Sequence, residues 1–128
     1  MILDSSALIA VIMAEPGAGE LLAKIGTAAS AGIGAPTLVE TAMVLSRRLN
    51  GHAMPLLAEL LEVLDVEVIP FTQMHSRVAM DAFMRFGKGR HPAALNLGDC
   101  LTYAVASIAG RPLLSVGSDY AQTDLASA

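Results

Sequence analysis

Short apolar runs that recur between longer segments of helical periodicity constrain this chain most, because strands joined through helices must lie parallel in one sheet. Met1 to Leu3 reads as a very short strand, and Asp4-Ser5-Ser6 offers capping groups before the apolar run Ala7 to Met13. Pro16 suits a first helical position, and Leu21, Leu22 and Ile25 continue a second helix to about Ala29. Gly32 to Ala35 is the next strand, followed by a helix from Pro36-Thr37 to Leu49, with Asn50-Gly51 as its stop, and another from Pro55 to Leu64. Val66 to Ile69 is β-branched and bounded by Pro70. Thr72 then caps a helix to Phe86. After a loop from Gly87 to Ala94, helical spacing returns from Asn96 to Ala109, Gly110 closes it, and Pro112 to Val116 is the last strand. The pattern predicts one α/β domain over residues 1–128: three layers, α/β/α, round a mostly parallel sheet of four to five strands.

Such a sheet places function outside the carboxyl ends of its strands. Asp4 follows the first strand, Glu40 lies one turn into the helix after the second, Asp99 lies in the first turn of the late helix, and Asp119 lies just past the last strand. Carboxylates drawn to one sheet edge repel one another unless a cation binds among them. Oxygen donors of this kind suit Mg²⁺ or Mn²⁺, which keep several waters and also accept phosphate oxygens, so a phosphodiester is the natural substrate class. Each acid also has a local structural reading. Asp4 can be an N-cap, Thr37-x-x-Glu40 fits a capping box, Asp99 suits the positive end of a helix, and Asp119 can be a turn residue after Gly117-Ser118.

Composition narrows the classes. The longest uninterrupted apolar stretch, Ala7 to Ala14, falls far short of the roughly 18 residues that cross a bilayer. The N-terminus carries Asp4 where a secretory signal carries positive charge, so a cytoplasmic protein is expected. A lone cysteine, Cys100, fits a reducing compartment and is expected in the core. A net charge of −4 disfavours nucleic-acid binding through a broad basic surface, although Arg47-Arg48 and Lys88, Arg90 and His91 are local basic groups. With 54% hydrophobic and only 16% charged residues, part of the apolar surface is expected to meet a partner.

Four blocks carry a resemblance. Met-Ile-Leu-Asp-Ser-Ser-Ala-Leu at 1–8, Ala-Pro-Thr-Leu-Val-Glu at 35–40, Lys-Gly-Arg-His-Pro-Ala-Ala-Leu-Asn-Leu-Gly-Asp-Cys at 88–100, and Pro-Leu-Leu-Ser-Val-Gly-Ser-Asp-Tyr-Ala-Gln-Thr-Asp-Leu at 112–125 together resemble PIN-domain toxins of VapBC toxin–antitoxin systems. The third block is the most specific. The resemblance implies a PIN fold, a Mg²⁺- or Mn²⁺-dependent endoribonuclease, a homodimer, and a VapB-type antitoxin whose tail occupies the active site. It carries the family's first three acids onto Asp4, Glu40 and Asp99. The fourth acid varies in placement across the family, which often has an acidic residue or Asn where this chain has Gly117, followed by an Asp where it has Asp119, so it falls on Asp119 with Asp124 in reserve. Ser6 and Ser115 match small hydroxyl residues that support the acids, Ser6 by orienting metal-bound water. Lys88, Arg90 and His91 are weaker candidates for contacting RNA phosphates.

Other classes fit less well. A phosphoacceptor signalling domain also builds an acidic pocket at a sheet edge, but it presents a late lysine, and this chain has lysine only at 24 and 88. Gly32-x-Gly34 lacks the third glycine and the lysine of a phosphate-binding loop. The serious alternative is a non-catalytic PIN-fold protein that binds an antitoxin without turnover.

Overall fold

The computed structural model describes residues 1–128. Its elements are β1 (Ile2–Leu3), α1 (Ser5–Ile12), α2 (Ala18–Thr27), β2 (Ala31–Gly34), α3 (Ala35–Leu49), α4 (Ala53–Val63), β3 (Val66–Ile69), α5 (Gln73–Phe86), α6 (Leu97–Ala109) and β4 (Leu113–Leu114). The strands form one parallel sheet in the order β3-β2-β1-β4. Register is set by Ile2 opposite both Gly32 and Leu113, and by Ala31 to Gly34 opposite Val66 to Ile69. A parallel bridge between Leu113 and Ser127 lays the C-terminus along the outer edge of β4, so a fifth strand exists only as this bridge.

Alternation along the strands divides the interior into two layers. Ile2 and Leu113 point into a core built with α5 and α6, through Ala82, Phe86, Tyr103 and Val105. Leu3 and Leu114 point the other way, into a core with Leu8 of α1, Ile25 of α2, Leu45 of α3 and Leu57 of α4. Two residues thus suffice for a central strand when each is wholly buried in a different layer. At about 25 cal/mol per Å² of apolar surface, each such side chain contributes roughly 1.5–3 kcal/mol. The three-layer α/β/α architecture is the one expected.

Several boundaries differ from the expectation. Gly17, at φ +88°, turns the chain into α2 and serves as its N-cap, so Pro16 precedes the helix instead of opening it. The helix α3 begins at Ala35 with Gly34 as N-cap, which shifts β2 one residue earlier. Gly34 is needed there, since a Cβ would stand 2.8 Å from Val105 Cγ2 where α6 crosses the end of β2. Because the cap falls at Gly34, the expected Thr37–Glu40 capping box does not form. Thr37 is buried instead, with its hydroxyl 2.9 Å from that of Thr102 on α6. This contact joins α3 to α6 across the end of the sheet and turns Glu40 toward the first turn of α6. The helix stops at Asn50 and Gly110 stand as expected, both in the left-handed region.

Candidate active site

Asp4 leaves β1 and caps α1. Its Oδ2 accepts from the Ser6 backbone N–H at 3.1 Å and from the Ser6 hydroxyl at 2.5 Å. The Ser6 oxygen in turn accepts from the Val116 N–H at 3.0 Å, which ties the loop after β4 to the start of α1. Asp99 is the third residue of α6 and forms a capping box with Asn96. The Asn96 side chain accepts from the Asp99 N–H, and Asp99 Oδ2 accepts from the Asn96 N–H, each at 2.9 Å. The structural and functional readings of Asp4 and Asp99 are therefore compatible, since capping uses one oxygen of each carboxylate and leaves Oδ1 turned inward.

Sequence reasoning missed the group that lies between them. Tyr120, buried at 6% exposure, donates its hydroxyl to Asp4 Oδ1 at 2.9 Å and also approaches Asp99 Oδ1 at 3.3 Å. Burial, followed by the charges of Asp4 and Asp99, pushes the ionisation of this phenol far above its ordinary range, so it remains a donor. The available signal was composition, because the chain has only two tyrosines and this one directly follows Asp119.

Glu40 reaches the same edge from α3. Its carboxylate lies against Gly98, where a Cβ would stand 2.8 and 2.9 Å from Oε1 and Oε2. A glycine inside the first turn of a helix is unfavourable by itself, and that was a legible hint of close approach. Glu40 titrates above the usual carboxylate range, first because of burial and then because Asp4 and Asp99 are near, with Ser5 acting in the opposite direction. Asp99 is likewise raised, by burial first, with Asp4 and Asp119 adding to the effect and the Asn96 N–H and Tyr120 opposing it. No lysine, arginine or histidine forms a salt bridge with Asp4, Glu40 or Asp99.

The remaining candidates divide. Asp119 is exposed on the turn that follows Gly117, close enough for its charge to act on Asp99. Asp124 is engaged elsewhere, accepting from Arg85 at 2.9 Å and from Tyr103 at 2.6 Å, and these two partners hold its carboxyl below the usual range. Ser115 lines a cavity of 130 Å³ with Gly117 and Tyr120. Lys88, Arg90 and His91 belong to the loop between α5 and α6. Lys88 and Arg90 are exposed. The Arg90 guanidinium lies 5.3 Å from the Phe83 ring centre. His91 Nδ1 accepts from the Ala93 N–H at 3.1 Å and its ring meets Phe86 edge-on, so it helps close the loop. Cys100 is buried, as expected, and burial raises its thiol pKa.

The largest cavity is not the acidic one. A groove of 690 Å³ between α5 and α6, lined by Phe71, Met80, Phe83, Met84, Leu97 and Leu101, is almost wholly apolar. Leu97 and Leu101 also line a smaller cleft of 190 Å³ that contains Glu40 and Gly98, so the groove runs up to the carboxylates. Volume alone is a poor guide here, since Glu40, Asp99 and Tyr120, all three raised in pKa, lie together at the edge of the sheet.

As placed, the carboxylates do not gather three donors round a single point. Asp4 and Asp99 meet through the Tyr120 hydroxyl instead. The donor set still fits a hard divalent cation, because it consists of oxygen ligands that repel one another and form no salt bridge, and Mg²⁺ needs only one or two protein carboxylates.

Comparison with known proteins agrees with this architecture. The chain is 43% identical over 126 residues to the Mycobacterium tuberculosis protein named Ribonuclease VapC36, covering 98% of this chain and 91% of that one. Its fold matches the crystal structure of M. tuberculosis VapC20, described as a sarcin-ricin loop cleaving toxin, with a TM-score of 0.79 at 17% identity, over 99% of this chain and 97% of the other. It also matches a chain of a toxin-antitoxin complex from Klebsiella pneumoniae, with a TM-score of 0.71 at 17% identity, over 96% and 92% of the two chains. The PIN domain model matches residues 1–125, and together with the identity to VapC36 it establishes that this chain belongs to the PIN domain family.

Proposed function

We infer that this protein is a Mg²⁺- or Mn²⁺-dependent endoribonuclease and the toxin of a toxin–antitoxin pair, acting through Asp4, Glu40, Asp99 and Asp119. The observation that carries the reading is the convergence of Asp4, Glu40 and Asp99 at the carboxyl edge of a parallel sheet, where their charges act on one another and none is in a salt bridge. The ribonuclease name of the relative that is 43% identical supports the same chemistry.

Asp4 and Asp99 would hold the ion, with Glu40 and Asp119 completing the negative field from either side. A bound divalent ion would supply Lewis acidity toward a phosphodiester and lower the pKa of water for attack. Ser6 orients Asp4 and fastens the β4 loop, so the donors come from packed elements and not from a mobile tip. Ser115 is the first residue of that loop and lines the cavity behind it. Lys88 and Arg90, exposed on the loop that His91 helps close, would neutralise RNA phosphates.

A VapB-type antitoxin is the proposed partner, in keeping with the toxin-antitoxin complex that shares this fold. Self-association as a homodimer has an apolar candidate face in α5 and α6, where Met80, Met84 and Leu97 are 62, 60 and 76% exposed. No helix is long and apolar enough to cross a membrane. We place the activity of this domain in the cytoplasm, where RNA and antitoxin are both present.

Antitoxin-free protein with Mn²⁺ and structured RNA tests the reading. Wild type is expected to cut at defined positions and Asp99→Asn to lose most of that activity. If both were inert across RNAs and metals while antitoxin binding persisted, the protein would be a binding module and the catalytic reading would fail.

A further inference from the structure

Both tyrosines of this chain give their hydroxyls to aspartates, but in different settings. Tyr103 serves Asp124, which Arg85 already neutralises. Tyr120 serves Asp4 and Asp99, which have no basic partner. We propose that Tyr120 is a positioning residue for the divalent-ion site: its hydroxyl gathers Asp4 Oδ1 and Asp99 Oδ1 on one donor and sets the spacing of carboxylates that β1 and α6 contribute separately. The inference rests on the proposed function, because it assumes that these acids hold the ion.

Three observations carry it. First, Asp4 Oδ1 and Asp99 Oδ1 have no other donor, since Ser6 and Asn96 serve the Oδ2 atoms. Without the phenol, the two Oδ1 atoms would face each other as like charges with no donor between them. Second, Tyr120 is itself rigid. Its ring is buried in the α6 layer of the core, and its carbonyl accepts from the Thr123 N–H at 3.0 Å and from the Thr123 hydroxyl at 2.7 Å. Third, the phenol does not use up the ligands. A carboxylate offers about four lone-pair sites, and Asp4 receives three donors while Asp99 receives two, so each keeps a free site for a cation. Because Asp119 is the preceding residue, the same anchor also fixes the turn that carries the fourth acid.

The test is Mn²⁺ affinity, read by titration calorimetry on the full chain freed of antitoxin. Tyr120→Phe keeps the ring and removes only the hydroxyl. Tyr103→Phe removes an equivalent phenol–carboxylate bond away from the site. Tyr120→Phe is expected to bind Mn²⁺ about tenfold more weakly or worse, the usual cost of losing a group that orients a metal ligand, while Tyr103→Phe binds as wild type does. Metal-free melting temperatures of the two variants are expected to be similar. Tyr120→Phe affinity within about twofold of wild type, or tighter, overturns the proposal, as does an equal loss in Tyr103→Phe or an unfolded Tyr120→Phe chain. Wild type with no saturable Mn²⁺ binding would overturn the metal reading itself, whereas wild-type binding with an unaffected Tyr120→Phe overturns this inference alone.

Discussion

Replacing Gly98 with alanine separates the placement of Glu40 from the stability of the fold. The new Cβ would lie 2.8, 2.9 and 3.1 Å from Oε1, Oε2 and Cδ of Glu40, well inside van der Waals contact. Those atoms end a flexible side chain, so the carboxylate yields and the helix does not. A retreat on the order of 0.5–1 Å restores normal contact. Misplacement on that scale in a catalytic group costs between about tenfold and a hundredfold in rate. Stability moves the other way. Alanine is favoured over glycine in a helix by about 0.5–1 kcal/mol, and nothing else about Gly98 demands glycine, because its φ lies outside the left-handed region. A gain of that size raises the melting temperature of a domain this long by roughly 2–6 °C. The assay pairs thermal melts of the metal-free protein with RNA cleavage rates at saturating Mn²⁺. Unchanged cleavage alongside the stability gain would refute the reasoning, because the position of Glu40 against α6 would then not matter to the chemistry. A large loss of stability would refute its steric half.

Two further outcomes follow from the electrostatics of the site. Glu40 is raised in the folded chain above its ordinary 4.5, so the fold holds its proton more tightly than the unfolded chain does. Its contribution is therefore fully present below that value and is lost as pH rises through the folded pKa. Metal-free Glu40→Gln should accordingly gain stability over wild type as pH increases from about 4 to 7 in urea titrations, and added Mn²⁺ should shrink the difference. A difference that does not change with pH would count against the coupling among the acids. Asp119 and Asp124 should also part company. Asp119→Asn is expected to reduce RNA cleavage about tenfold with little change in melting temperature, whereas Asp124→Asn should lower the melting temperature and leave cleavage as it was. The reverse result would return Asp124 to the site.

Much of this protein follows from local pattern, and the sequence by itself determined those parts. Alternating runs and helix stops decided the α/β/α class, and local pattern set Asp4 at the strand-to-helix junction and Asp99 in the first turn of α6, where the fold has them. These features depend on hydrogen bonds that span three or four residues and on periodicity, both of which are written in the order of side chains. The same pattern nominated Glu40 and Asp119, and the family blocks then singled out the same four positions. The boundary at α3 shows where local reading fails, because Thr37-x-x-Glu40 satisfies a capping pattern that the chain does not use. There the close crossing of α6 at Gly34 moves the cap, and a partner 65 residues away claims Thr37. Glu40 faces the site for that reason. Tertiary structure alone decided three further matters: Tyr120 reaches Asp4 across 116 residues, Gly98 makes room for Glu40, and Asp124 is spent on Arg85 and Tyr103 while Asp119 is not. Each is a contact between elements distant in the chain, formed only once two cores have packed against opposite faces of the sheet.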